Sequence, residues 1–96
     1  QASAAAQASQ LAAQRSGLVA EIGQLQSQIA TQQSLIASAQ KDLDRARTIA
    51  DRGFISGRDL QVREETLLAR QQGLSQLEQS LATKRASVAE NERSAA

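Results

Sequence analysis

Apolar residues recur along the first half of the chain in alternating steps of four and three. Leu11, Leu18 and Leu25 share one heptad position, continued by Gln32, Ala39 and Ala46, while Ile22, Ile29, Ile36, Leu43 and Ala50 hold the other, after Arg15. This spacing gathers them on one stripe of an α-helix, the seam of a left-handed coiled coil. Leu35 and Ile49 are expected to widen the stripe on one flank. Large side chains dominate up to Ile36, after which Ala39, Ala46 and Ala50 allow a partner helix to come closer. Gln32 is a polar residue at a core position; it either sets register or bends toward solvent.

The second half carries its own repeat. Leu60, Leu67, Leu74, Leu81 and Val88 stand every seventh residue, with Arg63, Arg70, Leu77 and Lys84 at the complementary position and Thr66, Gly73, Ser80 and Ser87 as a small-residue flank. The two patterns predict an all-α fold of two long helices, one over about residues 3–52 and one over about 57–94, joined by a turn at about 53–56. So short a linker folds them back as an antiparallel coiled-coil hairpin. Gln1 to Gln10, made of Ala, Gln and Ser, is expected to be helix continuous with the heptad segment after it.

The turn is written in local chemistry. Gly53 suits the left-handed residue that closes a helix, and Arg47 and Arg52 stand where cations suit the dipole of a last turn. Ser56 and Asp59 read as a capping box that opens the second helix ahead of Leu60. Phe54, the single aromatic of the chain, falls inside this turn.

Composition narrows the picture. A chain of 96 residues with one Phe and no Cys, Pro, Met, Trp or Tyr cannot fill a compact globular core, and the absence of proline leaves long helices unopposed. The net charge of +1 gives no one-signed basic face for nucleic acid. Charge is unevenly placed, however: residues 1–40 contain only Arg15 and Glu21, whereas Lys41 to Glu65 carries six basic and six acidic residues. No apolar run approaches the roughly 20 residues that span a bilayer, and no basic face with aromatic anchors is present to lie on one. The chain begins without Met and is expected to be a piece of a larger protein.

Candidate chemistry is sparse. Without His, Cys or Tyr there is little to serve as nucleophile, general base or soft metal ligand. Asp42 with Asp44, and Glu64 with Glu65, are carboxylate neighbours that diverge on a helix among arginines, so they read as solvated charge. No glycine-rich phosphate loop occurs. Neither catalysis nor a cofactor is expected; interaction is, through a turn with mixed charge and an exposed Phe-Ile pair.

In the stretch Leu43 to Ser56, with Asp59-Leu60 just beyond it, the residues Arg45, Ile49 and Ser56 have the spacing of a known motif. The chain resembles the α-helical hairpin of HlyD-like membrane fusion proteins, or periplasmic adaptors, whose hairpin tip has arginine, an aliphatic residue four on and serine seven beyond. Leu is usual at the middle place, so Ile49 is a conservative departure. The heptads extend the resemblance over almost the whole chain, but only about fifteen residues around the turn are specific to it.

The resemblance implies an adaptor that links an inner-membrane transporter, of ABC type, to a TolC-like outer-membrane channel in type I secretion or efflux. It implies a periplasmic location, self-association of hairpins side by side, and lipoyl, barrel and anchor parts elsewhere in the protein. Arg45, Ile49 and Ser56 would contact the channel, with Phe54 beside them. Each also has a local reading: Arg45 as a partner of Asp42, Ile49 as seam, Ser56 as helix cap. The alternative function is a structural coiled-coil spacer or dimerisation arm of a scaffold protein.

Overall fold

The computed structural model describes residues 2–96; of the expected N-terminal helix, Gln1 lies outside the described residues. Two helices make up the chain, α1 over Ala2–Asp51 and α2 over Gly57–Ala95, and together they form an antiparallel helical hairpin. Arg52 to Ser56 connect them. No strand occurs among the described residues.

The heptad stripes are what the hairpin withdraws from solvent. On α1 the apolar seam residues from Leu11 to Ala50, and Gln32 among them, are half-buried or better, and on α2 so are Leu60, Leu67, Leu74, Leu81 and Val88. Among the described residues, the fully buried apolar side chains are all in the part nearer the turn: Leu43 is 2% exposed, Ala46 3% and Leu67 8%. A seam between only two helices covers a narrow face of each. Leu35 and Ile49, expected to widen it, therefore stand in solvent at 38% and 43% exposure.

Packing falls into two units. One joins the part of α1 up to Gln28 with Leu77–Ala96. Its seam closes on a polar clasp: Asn91, buried at 8% exposure, donates from Nδ2 to the carbonyl of Leu11 at 3.0 Å. Asn91 continues by seven the positions of Leu77 and Lys84, and its amide satisfies itself on the main chain of α1. Arg15 pairs with Glu92 at 2.7 Å, and Lys84 with Glu21 at 2.6 Å.

The other unit is Ile29–Gln76, which includes the turn. Here Gln32 does not bend outward; its Nε2 donates to the carbonyl of Arg70 at 2.7 Å. Gly73 makes room for it, since a Cβ there would stand 2.9 Å from that nitrogen. Thr66, on the same small-residue flank, instead turns its hydroxyl back onto the carbonyl of Val62 in its own helix. Arg63, at the poor heptad position of α2, crosses to Asp42 at 2.6 Å.

Candidate functional site: the hairpin turn

The backbone of the turn explains the spacing of its residues. α1 ends in a Schellman motif: the amide of Phe54 donates to the carbonyl of Ile49 at 3.1 Å, and that of Gly53 to Ala50 at 2.9 Å. Gly53 takes the left-handed conformation, φ 79°, that the motif requires. Three residues later Ser56 caps α2. Its Oγ accepts the amide of Asp59 at 3.1 Å, and its carbonyl accepts Leu60 at 3.1 Å. Only this half of the expected capping box is formed, because no bond returns from the Asp59 carboxylate to the Ser56 amide among the described residues.

The expected charge arrangement at the end of α1 is corrected. No basic residue lies in its last turn, which ends on Asp51. Arg52 is already beyond the helix, and Arg47 turns sideways to Asp44 at 4.0 Å and Glu64 at 3.8 Å. These contacts join exposed groups, each worth only about 0.2–1 kcal/mol.

Of the four residues expected at the site, Ile49 and Phe54 are brought together by the Schellman hydrogen bond, and both present apolar surface to solvent, 43% and 79% exposed. Ser56 is exposed and engaged as the cap. Arg45, one helical turn before Ile49, is exposed and has no hydrogen-bond or ion-pair partner among the described residues. Its expected local partner, Asp42, is taken by Arg63 from the opposite helix.

Two further arginines lie close to Phe54 in the chain, although the motif spacing does not single them out. Arg52 and Arg58 bracket Phe54, and both are exposed without an ion-pair partner among the described residues. The sequence does not mark them out: neither has an Asp or Glu three or four positions away, but the same holds for Arg15, Arg70, Lys84 and Arg85.

Away from the turn, Leu35 and Val62 flank a groove of about 410 Å³ whose lining includes Asp42 and Arg63. Val62 is 52% exposed, and Leu68, on α2, 59%. Among the described residues no group of three or more His, Cys, Asp or Glu comes together to hold a metal, and no helix is long and apolar enough to cross a membrane. No family model matches the chain, and neither a curated protein nor a solved structure matches it significantly.

Proposed function

We propose that this chain is the hairpin of a HlyD-like periplasmic adaptor. Its turn docks onto a TolC-like outer-membrane channel, and the rest of the protein connects it to an inner-membrane transporter of ABC type for secretion or efflux. The module does no chemistry of its own. One observation carries the reading: Arg45 is exposed and unpartnered within the described residues, one turn from the half-exposed Ile49. The turn uses the carbonyl of Ile49 and the hydroxyl of Ser56 for its own closure, but it makes no use of the Arg45 side chain. An arginine in that place is free to offer its planar fork to carbonyls or carboxylates of another protein. The solvent-facing Leu35, Val62 and Leu68 further suit side-by-side contact with neighbouring hairpins.

The second reading, a coiled-coil spacer, is favoured by the same turn. Schellman closure and the Ser56 cap account for Ile49, Gly53 and Ser56 with no partner at all. Binding of the purified channel by the unchanged chain and by Arg45→Ala separates the two, with circular dichroism to establish equal helicity. Loss of binding in the variant alone supports docking. Binding that is unchanged by the substitution refutes the role of Arg45.

A further inference from the structure

We infer that the turn recognises an acidic protein surface with an apolar recess, and that Arg52 and Arg58 determine this preference together with Phe54. The inference rests on the docking reading above and names the chemistry of the surface that is docked upon.

The stretch from Arg45 to Asp59 holds four arginines against two aspartates, a net charge of +2 in a chain whose whole net charge is +1. Away from it Arg15, Arg63, Lys84 and Arg93 are matched with Glu92, Asp42, Glu21 and Glu90, whereas Lys41, Arg70 and Arg85 have no ion-pair partner among the described residues. At the turn Arg47 is matched, but Arg45, Arg52 and Arg58 have no ion-pair partner among the described residues. The same turn exposes Phe54 at 79%, more than any other large apolar side chain described. An aromatic ring set among unmatched cations complements a pocket rimmed by carboxylates, where the ring supplies burial and the cations steer the approach. An anionic lipid surface fits less well. A lone Phe with no basic amphipathic face beside it is a weak membrane anchor.

The test measures binding of the whole chain to the purified outer-membrane channel of the same organism. In parallel, it measures binding to vesicles of phosphatidylethanolamine and phosphatidylglycerol. Arg52→Gln and Arg58→Gln are expected to weaken channel binding about two- to fivefold each at low salt, the size of an exposed pair. Arg58→Lys keeps the charge and most of the binding. Asp51→Asn, which removes a repulsive charge, strengthens it about twofold. Phe54→Ala weakens it about tenfold or more through lost burial.

The effects of the charge substitutions shrink as salt rises from about 0.05 to about 0.5 M, where screening shortens to a few ångströms. Channel binding that is indifferent to Arg52, Arg58 and salt overturns the inference and leaves the docking reading standing. Preference for vesicles over the channel overturns it in favour of a membrane contact. No channel binding by the unchanged chain overturns both.

Discussion

Gly73 and Gln32 set two effects of similar size against each other, and the balance is measurable. Replacing a glycine inside a helix by alanine stabilises it by about 1 kcal/mol through the unfolded chain's lost freedom. At Gly23, where an added Cβ meets nothing within 4 Å, the whole gain is expected. For a domain of this size that raises Tm by roughly 4–8 °C. At Gly73 the added Cβ would lie 2.9 Å from Gln32 Nε2. The amide is the mobile end of its side chain and yields without much steric cost, but it gives up the 2.7 Å bond to the Arg70 carbonyl. Such a bond contributes about 1 kcal/mol net. Gly73→Ala should therefore leave Tm nearly where it was. In a Gln32→Ala background nothing is left to displace, so the same substitution recovers its full gain. The double-mutant cycle then yields a coupling of about 1 kcal/mol, read by thermal circular dichroism at one fixed protein concentration. A Gly73→Ala chain as stabilised as Gly23→Ala would refute the contribution of the Gln32–Arg70 bond.

Other substitutions probe the turn and the seam. Gly53→Ala forces a side chain into the left-handed region and should destabilise by about 1–2 kcal/mol, with Gly53→Asn losing less, as tracked by urea denaturation. Ser56→Ala removes the cap of α2 and should lower stability by about 1 kcal/mol; a chain that keeps its full Tm would leave the hydroxyl to a partner contact. Leu43→Ala, at the most buried position, should lose about 2–5 kcal/mol and most of the helicity at 25 °C, whereas Leu68→Ala on the exposed face should change the melting curve little.

The stripes were legible because period and burial agree. Leu43 and Leu67 sit at heptad positions and are the large residues most withdrawn from water. Leu35 and Ile49 lie one position off the stripe, and a seam with a single partner helix is too narrow to reach them. What the sequence left open at Gln32 depended on register, since its acceptor belongs to Arg70 and its space to Gly73, thirty-eight and forty-one positions along the chain. Arg45 and Asp42 are spaced for a pair within one helix, and a single-helix argument could not foresee Arg63 arriving from the other. At the turn, Gly53 and Ser56 announced their roles through conformation and capping. Arg52 and Arg58 were not legible in this way, because their lack of an acid three or four positions away is shared by Arg15, Arg70, Lys84 and Arg85.

The closure of the turn also bears on how fast and how tightly anything can seat on it. The amides of Arg52, Gly53 and Phe54 are each held by a carbonyl of Ile49 or Ala50, and Ser56 is fixed as a cap. A five-residue loop that had to be ordered on contact would surrender about 1–2 kcal/mol for each residue immobilised. Here that ordering is completed when the hairpin folds. Encounter then needs no rearrangement of the main chain, and the association rate is governed by diffusion, orientation and charge. Loosening Gly53 would slow and weaken any such seating without changing a single exposed side chain of the turn.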